Sequence, residues 1–142
     1  METIFDKDLQ SIQEARCCAR RAKKAQQEFA NFTDEQVDRI LQNMVRVAEE
    51  NAERLARMAV EETGFGKVVD KITKNKLAST ILYRDIKDMK VSGIINNDTA
   101  KRVIEIGVPV GLLFGIIPST NPTSTVIYKA IIALKARNGI VF

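Results

Sequence analysis

Up to residue 90 the apolar positions recur every three or four residues, and beyond it they run together or alternate. In the first stretch Leu9, Ile12, Ala15 (or Arg16), Ala19, Ala22, Ala25 and Phe29 predict an amphipathic helix over 6–30. Its face is thin and alanine-rich, so it packs closely and buries little per residue. Cys17 and Cys18 lie within it with no base nearby in sequence, and they read as small buried residues, not nucleophiles. A second helical region spans 33–63. Thr33 and Gln36 make a capping box, and Phe32 and Val37 can close a hydrophobic staple. Asp34 and Glu35 sit in the first turn, where acids favour the helix dipole. The expected stripe is Val37, Ile40, Leu41, Met44, Val47 (or Ala48), Leu55, Met58 and Ala59, with a polar gap at Glu49-Glu50-Asn51 where so long a helix can break. Gly64 is expected to end the region in the left-handed conformation. A third helix over 67–90 carries Val68, Val69, Ile72, Lys76 (or Leu77), Ile81, Leu82 and Ile86. Tyr83 and Arg84 fit a cleft, the core or a solvated edge equally well.

The pattern then changes. Ser92-Gly93 and Asn96-Asn97-Asp98 read as turns, and 102–106 alternates weakly, as a half-exposed strand does. Gly107 and Pro109 interrupt it. Val110 to Ile117 is apolar on both faces, the pattern of a central parallel strand. Gly111 and Gly115 fall on one side of it, where they either weaken the strand or admit a close neighbour. Pro118 closes the run, and Ser119-Thr120-Asn121-Pro122 forms a polar elbow. A helical face follows, with Val126, Ile127, Ala130, Ile131 and Leu134. Asn138-Gly139 breaks it, and Ile140-Val141-Phe142 begins another apolar run. Strand, elbow, helix and strand make a βαβ unit, so the fold class is α/β, with a helical N-terminal region leading into the first βα unit of a Rossmann-like sheet. Such sheets carry their sites outside the carboxyl ends of their strands, which singles out the elbow.

Composition narrows the chemistry. The 142 residues are 45% apolar and 28% charged, with a formal net charge of +4. That charge is modest, and no basic stripe is interleaved with aromatics, so nucleic acid is not expected as a partner. Arg16, Arg20, Arg21, Lys23 and Lys24 cluster on the first helix, either as a solvated face or as a contact surface for an acidic partner. There is no histidine, and the two cysteines are adjacent, so no metal site and no histidine base are expected. The opening METIFDKDLQ has acids where a signal peptide has its basic and apolar parts. The most apolar run, 108–118, is far too short to span a membrane. A reducing compartment is expected. At the elbow, Asn121 is placed as an N-cap with Pro122 at the first helical position. Ser119, Thr120, Thr123, Ser124 and Thr125 add hydroxyls. A donor-rich patch without a general base suits stabilisation of an anion or oxyanion better than proton abstraction, unless the elbow is a well-capped helix start and nothing more.

The run GIIPSTNPTST, the helix after it and NGIVF resemble the aldehyde dehydrogenase superfamily, and more closely its CoA-acylating branch. RAKKAQQEFANFTDEQVDRI and MAVEETGFGKVVDKITKNKLAS resemble the helical opening of that branch. The resemblance runs from about Arg20 to Phe142 and implies that 1–142 is the N-terminal part of an NAD-binding domain. It implies an enzyme that interconverts an aldehyde, with acetaldehyde the first expectation, and an acyl-CoA, using NAD with coenzyme A as co-substrate. By resemblance, Ile116, Ile117, Pro118 and Ser119 line the nicotinamide side of the NAD site. The superfamily's oxyanion asparagine falls on Thr120 by ungapped register and on Asn121 by its amide chemistry. The family's nucleophilic cysteine lies beyond residue 142, and Cys17 and Cys18 match it neither in position nor in context, so the piece alone is expected to be inactive. Also implied are a homo-oligomer, in which 98–108 belongs to a small antiparallel oligomerisation sheet, a C-terminal iron-type alcohol dehydrogenase in some relatives, and a cytoplasmic location or a bacterial microcompartment lumen. Two rival readings remain. One is a hydrolytic aldehyde dehydrogenase, which more often has a bulky aromatic directly after the proline. The other is a non-enzymatic helical module that uses the basic face of 16–24.

Overall fold

The computed structural model describes residues 6–142. Helix α1 (Lys7–Phe29) begins at Asp6, whose carboxylate accepts from the N–H groups of Asp8 and Leu9. The region over 33–63 is two helices, α2 (Asp34–Glu50) and α3 (Ala52–Thr63), divided at Asn51. Thr33 and Gln36 form the reciprocal capping box, and Gly64 ends α3 at φ +70°. The third region is α4 (Val68–Lys76), a π-helical turn at Leu77–Ile81, and α5 (Leu82–Ile86). It stops short of residue 90.

Burial corrects the expected stripes. Along α2 and α3 the inward residues are Val37, Leu41, Val45, Ala48, Ala52, Ala56 and Ala59, while Val47 and Met58 are exposed. The helices pack against α4 and α6 on their small-residue side, where alanine permits close approach. The central cluster is Val37, Leu41, Val45 and Ile131, with Phe29, Leu82 and Ile127 against it. On α1 the expected face stays mostly open. Leu9, Ile12, Cys17 and Ala25 are exposed, and the one buried residue of the helix is Gln26. On α4 and the turn after it the apolar Val69, Leu77 and Ile81 are exposed, while Lys71, Asn75 and Ser79 are buried. The inward face of α4 is polar because it lies under backbone that needs partners, as described below.

Strands β1 (Gly93–Asp98) and β2 (Val103–Gly107) form an antiparallel hairpin, with an irregularity between Ile94 and Asn96. Ser92 lies beside it, and Gly93 and Asn96-Asn97-Asp98 are strand residues, not turns. The reversal comes after Asp98, where Arg102 takes φ +56°. The hairpin's apolar side chains, Ile94, Ile95, Val103, Ile104 and Ile106, are exposed, so the half-buried strand expected here is open on both faces.

Strand β3 (Leu112–Phe114) runs parallel to β4 (Gly139–Val141), and α6 (Pro122–Lys135) joins them. This is the expected βαβ unit and an α/β fold. The glycines on β3's flank resolve in favour of close approach. A Cβ at Gly115 would lie 2.6 Å from Cδ1 of Phe142, and Gly111 takes φ +117° while its N–H donates to Asn138 Oδ1 at 2.9 Å. Past α6 the chain turns through Arg137, which is left-handed at φ +55°. Its buried guanidinium donates to the Phe32 carbonyl and to Asp34, each at 2.7 Å, and Gln26 donates to its carbonyl at 3.2 Å. These contacts tie β4 to the start of α2 and to α1.

Candidate functional site

The elbow leaves the carboxyl end of β3 and enters α6. Pro122 occupies the first turn of α6, where its missing N–H costs nothing. The Asn121 carbonyl accepts from the Thr125 N–H at 3.2 Å, which starts the helix. The Asn121 side chain does not cap it, contrary to expectation. Its Oδ1 accepts instead from Lys74 Nζ at 3.0 Å. A charged donor within reach outcompetes a neutral backbone N–H for the same oxygen. With Pro122 lacking an N–H as well, the first-turn N–H groups of α6 are left free of side-chain caps.

The elbow rests on one face of α4. Lys71 is 4% exposed, and its ammonium donates to the Thr120 carbonyl at 2.7 Å. No carboxylate pairs with Lys71 or Lys74 among the described residues. Asn75 is fully buried; its amide donates to the Ala52 carbonyl at 3.0 Å and its Oδ1 accepts from the Thr123 hydroxyl at 2.8 Å. Ser79 in turn donates to the Asn75 carbonyl at 2.8 Å. From the other side Lys129 of α6 donates to the Ile116 carbonyl at 2.7 Å. The elbow backbone is therefore held at Ile116, Thr120 and Thr123 by side chains of two helices.

Two clefts flank it. One, of about 300 Å³, sets Ile117, Pro118, Ser119, Pro122 and Thr123 against Leu55, Met58, Ala59, Glu62 and Thr63 of α3. The other, of about 290 Å³, is lined by Asn121, Ser124, Thr125 and Tyr128 against Lys74, Leu77 and Ala78. The residues singled out from the sequence thus separate: Ile117, Pro118 and Ser119 line the first cleft, and Asn121 lines the second. Ile116 is 71% exposed at the strand end, and Thr120 is exposed between the clefts. Lys71, Lys74, Asn75 and Glu62 were not foreseen. Lys71 and Asn75 stand four apart on the same turn-to-turn row as Val68 and Ile72, where polar residues break an expected apolar face. That break was the available signal. Glu62 puts a carboxylate at the rim of a cleft expected to hold no acid.

The groups with displaced pKa values lie elsewhere. Burial and the Asp38 carboxylate raise the Tyr83 phenol, whose hydroxyl donates to Asp38 at 2.6 Å. The Lys101 N–H lowers Asp98 in the hairpin turn, and the Thr33 hydroxyl lowers Glu35. Tyr83 is therefore part of the core edge, and Arg84 is solvated beside Asp85. Arg16, Arg20, Arg21, Lys23 and Lys24 are all exposed on α1.

A parallel βαβ unit whose site is a donor-rich elbow at the strand end defines an α/β protein of the nucleotide-domain kind. Residues 2–142 match the model of the aldehyde dehydrogenase family, and the chain belongs to that family. The bifunctional aldehyde-alcohol dehydrogenase of Escherichia coli is 45% identical over 132 residues, which are 93% of this chain and 15% of that protein. The sulfoacetaldehyde dehydrogenase (acylating) of Bilophila wadsworthia is 40% identical over 123 residues, 85% of this chain and 26% of that one. Among solved structures, an acetylating aldehyde dehydrogenase from Geobacillus thermoglucosidasius superposes with a TM-score of 0.93 at 56% identity, covering 98% of this chain and 31% of that one. The chain thus spans between about a seventh and a third of the length of these relatives.

Proposed function

We propose that the protein is an NAD-dependent, CoA-acylating aldehyde dehydrogenase and that this chain supplies the elbow against which the aldehyde oxygen and the nicotinamide are placed. The observation that carries this reading is the elbow itself: its backbone is pinned by Lys71 and Lys129 and its Thr123 hydroxyl by Asn75, while the first-turn N–H groups of α6 are left uncapped. The acylating and acetylating relatives support the branch, and relatives named for sulfoacetaldehyde, succinate semialdehyde and propionaldehyde differ in the tail of the aldehyde. A small aldehyde is therefore the substrate class, with acetaldehyde the first to test.

The residues present fit the nicotinamide. Exposed Ile116 and the Ile117–Pro118 edge offer an apolar surface to a flat ring, and the Ser119 hydroxyl and free first-turn N–H groups offer donors to its amide and phosphates. NAD, when bound, supplies the hydride acceptor, and coenzyme A takes the acyl group. Asn121 stabilises the developing oxyanion with its free amide N–H₂, whose nearest partner is Thr120 Oγ1 at a long 3.5 Å. The chain presents donors at this point, and Glu62 lines the other cleft.

The test uses the product of the complete gene. NADH formation should require aldehyde, NAD⁺ and coenzyme A together. Asn121→Ala should lower kcat by about a hundredfold or more, the usual cost of losing one oxyanion donor, whereas Thr120→Val should stay within about threefold. NADH formed equally well without coenzyme A would identify a hydrolytic enzyme. The reverse ranking of the two variants would move the oxyanion role to Thr120.

A further inference from the structure

The Asn121 amide has two orientations that differ by exchanging oxygen and nitrogen, and only one of them gives its oxygen to Lys74. Lys74 stands one turn beyond Lys71 on α4, and its ammonium meets Asn121 Oδ1 at 3.0 Å. An ammonium has three donors and no acceptor. It can hold the amide oxygen and can only repel the amide nitrogen. The flipped amide would face N–H groups toward N–H groups. No carboxylate among the described residues pairs with Lys74, so its charge is not diverted. The main chain beneath is fixed independently, because Lys71 holds the Thr120 carbonyl at 2.7 Å and the Asn121 carbonyl accepts from the Thr125 N–H at 3.2 Å. With the backbone held, the remaining freedom at Asn121 is its side-chain torsion, and Lys74 is the group that restricts it.

We propose that Lys74 is a positioning residue: in the cleft that both residues line, it holds the oxygen of the Asn121 amide and so leaves the amide nitrogen, whose one contact among the described residues is Thr120 Oγ1 at 3.5 Å, available as a donor. A charged donor on Oδ1 also polarises the amide and strengthens donation from its nitrogen. Lys74 itself need not touch the aldehyde. The inference rests on the oxyanion role proposed for Asn121.

The experiment is a double-mutant cycle in the complete gene product, with Lys74→Met and Asn121→Ala separately and together. Lys74→Met should lower kcat by about tenfold, the bias that one charge-assisted hydrogen bond supplies, while the KM values for NAD⁺ and coenzyme A move by less than about twofold. Lys74→Arg, which keeps a charged donor, should recover most of the loss. On the Asn121→Ala background Lys74→Met should have no further effect, because there is no amide left to orient. An equal fall in kcat on both backgrounds, or no fall in the native background, overturns the role of Lys74 and leaves that of Asn121 standing. An unchanged kcat in Asn121→Ala alone overturns the oxyanion reading and the Lys74 role with it. Lys74→Gln, which keeps a neutral donor, replaces the Met variant if that protein is not recovered folded; its kcat should fall below that of Lys74→Arg, and a kcat equal to the native value overturns the proposal.

Discussion

Asn75 joins three parts of the molecule through one side chain, and removing it has a calculable consequence. Its amide donates to the Ala52 carbonyl at the start of α3 at 3.0 Å and accepts from the Thr123 hydroxyl in the first turn of α6 at 2.8 Å, with no exposure of its own. Asn75→Ala breaks both bonds. Each is worth about 1 kcal/mol net in a protein interior. The Ala52 carbonyl keeps its place in the helix, but the Thr123 hydroxyl loses its acceptor, which adds about another 1 kcal/mol. The sum is about 2–3 kcal/mol, a thirtyfold or larger change in a local opening equilibrium. Thr123→Val, nearly the same shape, breaks only one of the bonds but leaves the buried Asn75 oxygen without its donor, and should cost about 2 kcal/mol. Because the two changes share a bond and the double variant leaves neither partner orphaned, it should fall short of the sum by about 2–3 kcal/mol. Native-state hydrogen exchange of the complete gene product, read at the amides of α4 and the first turns of α3 and α6, measures these local free energies. Asn75→Ala within about 0.5 kcal/mol of the native protein, or strict additivity in the double variant, would refute the view that Asn75 holds the elbow to α3.

Two further outcomes follow from features away from the elbow. A Cβ at Gly107 would stand 2.5 Å from the Val91 carbonyl oxygen, a backbone atom that cannot swing aside, so Gly107→Ala should destabilise the hairpin by about 1–3 kcal/mol, seen as faster exchange in β1 and β2. Tyr83 is neutral in the fold and its pKa is raised by burial and Asp38, so its contribution is fully present below the phenol's ordinary value of 10.0 and is lost as pH rises through the higher folded value. Ultraviolet titration of the phenolates should include a step above that value, and Tyr83→Phe should abolish that step.

The local structure follows from local chemistry. Thr33 with Gln36 specifies the start of α2 because both halves of the box lie within four residues, and Gly64 stops α3 because its backbone takes φ +70° without strain. The run Val110 to Phe142 specifies a strand, an elbow, a helix and a strand in that order, and a right-handed crossover then leaves little choice but the parallel pair β3–β4. The elbow's position at a strand end was legible for the same reason. The family was legible too, because the same residues carry the resemblance and the match.

The facing of side chains was decided only in three dimensions. A periodic stripe identifies a helix but leaves its rotation uncertain by a residue or so, and on α2 and α3 the close approach of α4 and α6 selected the alanine side over Val47 and Met58. The strand over 102–106 was expected to be half-exposed, yet Val103, Ile104 and Ile106 all stay exposed among the described residues. The polar face of α4 is the clearest case. Lys71, Lys74 and Asn75 meet residues 120–123 across 47 to 49 positions of chain, and no local rule links such distant segments. The same contact took Asn121 from its expected cap and gave its oxygen to Lys74, since an ammonium outcompetes a backbone N–H once the fold brings it near. The sequence alone determined which residues form the elbow; the tertiary structure decided what holds it and which way its amide faces.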